Sequence, residues 1–159
     1  MRPDPEHKID PKAIPAWRIA GGLGSLFWWF LPVIYGFIAL GGGASRWMIL
    51  ILTSLVVLNT ILQASIIPKI RWQRWSYQID KHEIYLKSGI FVIRRVLIPV
   101  NRIQHVDTRQ GPILRSFNLS TVTITTAATT HEIPALNDEV ADEVRNRISD
   151  LARSADEDV

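Results

Sequence analysis

Two long uncharged stretches in the N-terminal half constrain the fold of this chain more than any other feature. Residues 19–40 and 47–67 contain no charged residue, and a short turn, GGGASR, separates them. Each stretch has about the 20 residues that a helix needs to cross roughly 30 Å of hydrocarbon. Backbone groups in lipid must be satisfied within the segment, so helices are expected. The pattern predicts a transmembrane helical hairpin over residues 19–67, preceded by an N-terminal segment, residues 1–18.

The basic residues near these stretches predict the orientation of the hairpin. Lys and Arg precede the first stretch and follow the second, whereas the connecting turn carries only Arg46. Because Lys and Arg concentrate on the cytoplasmic side, both termini are expected in the cytoplasm. A cleaved signal peptide fits the first stretch poorly, since that stretch is too long and acidic residues precede it. Four tryptophans fall near the expected membrane interfaces: Trp17, Trp47, Trp72 and Trp75.

Four residues inside the two stretches are candidates for contacts between helices. Trp28 and Trp29 fall near the middle of the first span, where they could pack on the second helix, on another protein or simply face lipid. Asn59 and Gln63 are four residues apart and share one face of the second helix. Amides in lipid tend to hydrogen-bond to another helix, either within the hairpin or in a partner. These four residues are the candidate interaction sites.

The second half of the chain has the alternating pattern of β-strands. We predict strands in residues 75–80, 83–89, 91–100, 102–109, 119–129 and 131–136. From Asn137, a helix-capping residue, the period becomes helical, with an apolar stripe at Val140, Val144, Ile148 and Leu151. The prediction is an α+β protein: the transmembrane hairpin, then a small bent antiparallel sheet or β-barrel in residues 68–153 closed by a C-terminal helix. Residues 154–159 are expected to be a disordered tail.

The stretch RIQHVDTRQGP, residues 102–112, contains the residues that most resemble a reactive site. His105 and Asp107 would share one face of a strand and could hold a metal or act as a base. One His and one carboxylate are too few for a closed metal site, unless His131 or Glu132 approaches in space. The chain has no Cys. The preferred interpretation is a strand ended by a Gly-Pro turn, without a metal, a cofactor or a catalytic residue.

A longer stretch around this strand resembles a known family. From Ile98 to Ala127 the sequence is similar to the core of the bacterial pleckstrin-homology-like membrane proteins. The matching residues are Ile98-Pro99, Arg102-Ile103-Gln104, Val106, Gln110-Gly111-Pro112, Arg115, Phe117, Leu119 and Thr126-Ala127. Asn118 stands where the family often has Gly, and Asn also tolerates a left-handed turn. The resemblance implies a pleckstrin-homology-like (PH-like) domain at the cytoplasmic face of a bacterial inner membrane, and it does not imply an enzyme.

Three functional hypotheses follow. The first is a non-catalytic interaction protein, a scaffold or accessory subunit that forms homo-oligomers or binds a partner protein in a membrane complex. The second is binding of anionic lipid headgroups, with five candidate residues: Lys69, Arg71, Arg74, Arg94 and Arg95. The same cations could instead only set the membrane topology. The third and weakest is an enzyme using His105 and Asp107. Nucleic acid is not expected as a partner, because no nucleic-acid motif is present and the C-terminal residues are acidic.

Overall fold

The computed structural model describes residues 4–42 and 45–157. The chain divides into two compact units. One unit is the apolar part, Pro15–Lys69. The other combines the N-terminal segment up to Ile14 with the chain from Ile70 onward, and we call it the domain.

The apolar residues form two continuous helical segments. The first consists of α1 (Ala13–Ser25), a 3₁₀ turn (Leu26–Trp29) and α2 (Phe30–Leu40), and the second of α3 (Arg46–Ile61), a π turn (Leu62–Ile66) and α4 (Ile67–Arg74). By length and composition, Ala13–Leu40 and Trp47–Arg74 can each cross a membrane. At about 1.5 Å per residue, 28 residues span about 42 Å. Only 11% and 6% of their apolar windows are buried, whereas a core helix of a soluble protein would be mostly buried.

Two antiparallel sheets make up most of the domain. The strands are β1 (His7–Lys8), β2 (Ser76–Ile79), β3 (Glu83–Ser88), β4 (Arg94–Pro99), β5 (Ile103–Arg109), β6 (Leu119–Thr126) and β7 (Thr130–Asn137). The first sheet has the order β1-β2-β3-β4 and the second has the order β5-β6-β7. Within the described ranges no strand pairing joins the two sheets, so they do not close into a barrel. The predicted α+β, PH-like class is confirmed in its open form.

The C-terminal helix α6 (Asp138–Glu157) closes the core. It packs mainly against β5, β6 and a 3₁₀ turn, Val100–Arg102. Its predicted cap is confirmed, since the Glu139 N–H donates to Asn137 Oδ1 at 3.1 Å. The buried stripe is centred on Ala141, Val144 and Ile148, and Val140 is 39% exposed. The predicted stripe was therefore wrong at its first position: Ala141 rather than Val140 faces the sheets.

The N-terminal segment belongs to the domain. His7 and Lys8 pair with Tyr77 and Ser76 as strand β1. The side chain of Ile9 is 1% exposed, and its carbonyl accepts a hydrogen bond from Trp72 Nε1 at 3.1 Å. The Asp10 N–H donates to the Ala135 carbonyl at 3.2 Å. The N-terminal segment, predicted to be separate from the domain, is thus part of it, because residues 7–10 pair with residues after the second apolar helix.

Several local features differ from the sequence-based expectations. Trp75 is only 8% exposed and lies in the domain core, so it is not the interfacial anchor expected of it. The strand expected from residue 91 begins at Arg94, and the residues before it form a loop. A short helix, α5 (Pro112–Ser116), follows the Gly-Pro turn and was not predicted. Helix α6 continues to Glu157, into the predicted tail, whereas residues 158–159 lie outside the described ranges.

Candidate functional site

A polar row crosses the second sheet at the strand that drew attention in the sequence. His105 and Asp107 share a face of β5, with His105 Nε2 3.9 Å from Asp107 Oδ2. Arg109 Nε lies 4.0 Å from Asp107 Oδ1. In register, Asp107 pairs with Thr123 of β6, which pairs with Glu132 of β7. Asp107 Oδ1 and Thr123 Oγ1 are buried and find no hydrogen-bond partner in the structure.

This row does not assemble a cluster of metal ligands. Glu132 lies two strands from Asp107, about 10 Å away at the usual strand spacing of about 4.8 Å. His131 pairs with Ile124 and therefore points to the opposite face of the sheet. Its Nε2 is 2.9 Å from Thr129 Oγ1. Over residues 4–42 and 45–157, no group of three or more His, Asp or Glu residues could hold a metal. His105 is 71% exposed, and the side chain that it contacts in the described part of the chain is Asp107.

The domain also contains a cleft of about 890 Å³. Three parts of the chain line it: the end of β4, the residues that lead into β5, and the β6–β7 turn at residues 126–129. The polar groups in it are Asn101, Arg102, Gln104, Thr126, Thr129 and His131. They combine one cation, two amides and two hydroxyls with an imidazole, a set suited to holding a carboxylate or exposed backbone groups. We call this feature the β4–β5 cleft.

Hydrogen bonds within the β6–β7 turn hold one wall of the β4–β5 cleft in place. Thr126 Oγ1 donates to the Thr129 carbonyl at 2.8 Å, and the Thr129 N–H donates back to Thr126 Oγ1 at 3.1 Å. The other wall is formed where two edge strands meet, because β4 and β5 each lack a strand neighbour on one side among the described residues. Edge strands present unpaired backbone donors and acceptors. The cleft therefore lies beside the unpaired edges of β4 and β5.

The residues that resemble the bacterial family divide into two groups in space. Ile98, Pro99, Arg102–Gln104, Thr126 and Ala127 line the β4–β5 cleft. Others shape the fold: Gln110 Nε2 donates to the Leu119 carbonyl at 3.2 Å and to the Asp138 carboxylate at 3.0 Å. Asn118 has φ 53°, which confirms the left-handed turn expected there. Gly111 has φ −80° and ψ 166°, so the Gly-Pro turn uses proline at the start of α5 rather than a left-handed glycine.

The polar cleft residues were missed as a site by sequence reasoning, although three of the six, Arg102, Gln104 and Thr126, were noted for the resemblance. Thr129 and Asn101 belong to turns that carry no motif of their own. They come together only because β6–β7 folds beside the end of β4, which lies about thirty residues earlier in the sequence. A local sequence pattern cannot predict that residues so far apart in the chain will be close in space.

The structure places the four candidate residues of the apolar unit within one pair of helical segments. Trp28 and Asn59 line the same small cavity of about 220 Å³, together with residues of α2 and α3. Trp29 and Gln63 are half-buried. A Cβ added to Gly21 would overlap the Gln63 carbonyl oxygen, so the backbones approach closely there. Asn59 and Gln63 therefore both lie next to the first helical segment, so they can contact it without a second protein.

The five candidate lipid-binding residues are all exposed. Lys69, Arg71 and Arg74 lie on α4, and Arg94 and Arg95 begin β4. Two of the five are engaged by acidic residues: Arg71 interacts electrostatically with Glu132, and Arg95 NH2 is 3.3 Å from Asp4 Oδ1. Asp4 also accepts a hydrogen bond from Lys87 Nζ at 2.6 Å. The pKa of Asp4 is lowered chiefly by that bond, with Arg95 adding to it.

Together, the open pair of sheets, the closing helix and the two apolar helices define a class, a membrane-associated protein with a PH-like domain. Residues 21–152 match the family described as Bacterial PH domain, and the chain belongs to that family. This confirms the resemblance seen in residues 98–127.

The chain is similar to two proteins of Bacillus subtilis (strain 168). The chain is 42% identical to UPF0699 transmembrane protein YdbS over 159 residues, which covers the whole of both chains. It is 30% identical to UPF0699 transmembrane protein YdbT over 116 residues, which is 73% of this chain and 20% of YdbT. No solved structure matches the chain.

Proposed function

We propose that this protein is a non-catalytic interaction protein of a bacterial inner membrane. Its PH-like domain would lie at the cytoplasmic face and act as a scaffold or accessory subunit of a membrane complex. Both termini would be cytoplasmic and the two apolar helices would form a multi-pass anchor. What supports placing both termini on one side is that residues before the first helix and after the second belong to one folded domain. The excess of Lys and Arg next to the apolar stretches favours the cytoplasmic side.

The observation that carries the interaction role is the β4–β5 cleft beside two edge strands. An extended segment of another protein can pair with such an edge, its backbone giving affinity and nearby side chains giving specificity. Arg102 in the cleft favours a segment with a carboxylate, because an arginine and a carboxylate form charge-assisted hydrogen bonds. Within residues 4–42 and 45–157, the side-chain partner of the exposed His105 is Asp107 and not a nucleophile.

Native mass spectrometry on the protein extracted gently from its own membrane tests this proposal. We expect a defined homo-oligomer or a stoichiometric protein companion. The variant Arg102→Glu, which reverses the one cleft cation, should lose that companion. The matched variant Lys81→Glu, at an exposed turn outside the cleft, should keep it. A bare monomer from the wild type, or equal loss in both variants, would contradict the proposal.

Anionic headgroup binding is the second candidate, favoured by the cations on α4 and at the start of β4. Since Arg71 and Arg95 already interact with carboxylates, Arg74 and Arg94 carry more of this hypothesis. The same spectra decide it, because a monomer that retains one anionic lipid would support it. Replacing Arg71, Arg74, Arg94 and Arg95 with Ala should then abolish the preference for anionic lipid. An unchanged preference would rule the headgroup hypothesis out.

A further inference from the structure

The loop between β3 and β4 carries a run of four large apolar residues, of which three are exposed and Ile90 is half-buried. Ile90, Phe91, Val92 and Ile93 connect the two strands, and we call them the apolar loop. Phe91 is 92% exposed, Val92 72% and Ile93 47%. In a strand, alternate side chains of this run would point toward the core. The run lies outside the sheet, however, because β3 ends at Ser88 and β4 begins at Arg94. Scattered exposed apolar residues are normal, whereas a contiguous exposed group marks an interaction surface.

The shape of the apolar loop is set by the residue before it. Gly89 has φ 133°, a conformation that side chains rarely adopt. A Cβ at this position would overlap the Val92 carbonyl oxygen. The backbone therefore folds back on itself at Gly89 and brings the carbonyl of Val92 close. The apolar side chains are held outward by a defined turn rather than by a lack of structure.

Basic residues flank the apolar loop on both strands. Lys87 pairs across the hairpin with Arg95, and Ser88 with Arg94. Asp4 bridges Lys87 and Arg95, so one carboxylate faces two of the three cations. No ion pair to Arg94 is recorded among the described residues. The flank keeps an excess of positive charge immediately beside the apolar side chains.

An apolar tip with a basic rim matches the chemistry of an anionic bilayer surface. Apolar side chains enter the boundary between headgroups and acyl chains, while cations remain at the level of the phosphates. The domain is also covalently continuous with the second apolar helix through α4, so lipid is always present at a high effective concentration. A soluble protein partner would have to compete with that surface at every encounter.

We propose that the apolar loop inserts into the interface of an anionic bilayer and that its basic flank contacts the headgroups. The proposal rests on the membrane association of the chain and does not require the scaffold role. It assigns the lipid contact to residues 90–93 together with Arg94, a surface that the candidate cations of α4 do not include. The two strands would then present the loop as a short membrane wedge.

The absence of native Cys allows a direct test on the full-length protein. Val92→Cys carries an environment-sensitive fluorophore, and the labelled protein is placed at one copy per nanodisc in phosphatidylglycerol-rich lipid. We expect a blue-shifted emission that brominated acyl chains quench. The same label on Lys81→Cys, an exposed position in the β2–β3 turn at the opposite end of β3, controls for general quenching. The double change Phe91→Ser and Ile93→Ser should remove the quenching at position 92, and circular dichroism shows whether the fold survives.

Three other outcomes would overturn the proposal. A label at position 92 that is neither shifted nor quenched lies in water. A blue shift without quenching by brominated lipid places the label against protein. A shift that appears only with two copies per nanodisc identifies contact between copies rather than with lipid. Loss of the native companion in Arg102→Glu, with quenching retained, would separate the apolar loop from the β4–β5 cleft.

Discussion

Two glycines of the domain occur in turns. The local backbone conformation requires glycine at Gly89 but not at Gly111. At Gly89 the positive φ and the nearby Val92 carbonyl leave no room for a side chain. At Gly111 the backbone is extended and nothing lies within 4 Å of an added Cβ. The residue type alone therefore does not reveal whether a glycine is constrained; the surrounding atoms do.

Gly89→Ala should lower the free energy of unfolding by more than about 1 kcal/mol, because it combines steric overlap with an unfavourable φ. Gly111→Ala is the matched control and should change it by no more than about 0.5 kcal/mol. Thermal unfolding of the purified protein in detergent, followed by circular dichroism, compares the two. Equal effects would contradict the role assigned to Gly89.

Strands and helices differ in how far the sequence could predict them. β2 to β7 and α6 were predicted because each carries its own pattern: alternation over several residues, or a cap followed by an apolar stripe. β1 was not, since His7 and Lys8 have no periodicity and become a strand only by pairing with Tyr77 and Ser76. The same non-local pairing explains why the β4–β5 cleft could not be foreseen, although many of its residues had been singled out.

The link between the N-terminal segment and the β3–β4 hairpin depends on the charge of Asp4. The pKa of this carboxyl is lowered in the folded protein, mainly by the hydrogen bond from Lys87. A lowered pKa stabilises the fold at pH values above the ordinary carboxyl range, and that contribution disappears as the pH falls through the folded-state pKa.

Asp4→Asn should therefore lower the melting temperature slightly at pH 5, and the gap to the wild type should narrow as the pH falls below the ordinary carboxyl range. Asp4 is at the surface, so high salt should shrink the gap as well. Asp150→Asn, at an exposed position on α6, is the control and should show no such pH dependence. A gap that does not narrow as the pH falls would mean that the aspartate acts through something other than its charge.

At the scale of the whole molecule, the domain is assembled from both sides of the apolar unit in the sequence. Asp10 bonds to Ala135, and Trp72 bonds to Ile9. A chain that crossed the membrane once could not bring these residues together. An even number of crossings is what the proposed orientation requires.

Single cysteines test the orientation. Glu6→Cys and Arg153→Cys should be labelled by a membrane-impermeant maleimide only after the cell membrane is opened. Ser45→Cys, in the turn between the helices, should be labelled in intact cells. Labelling of Glu6→Cys and Arg153→Cys from opposite sides would contradict the proposed topology.

The position of β1 also has a consequence for the order of synthesis. The first strand leaves the ribosome before either apolar helix, yet its partner β2 and the Ala135 carbonyl, which accepts from the Asp10 N–H, are made after both. If both apolar helices cross the membrane as proposed, the domain cannot be completed until both have been translated and the chain has returned to the side where it began. A nascent chain whose second helix failed to insert would keep Ile9 without its binding site, and its incomplete domain would be open to proteolysis. In the proposed topology, completion of the domain would therefore report that both helices had been inserted.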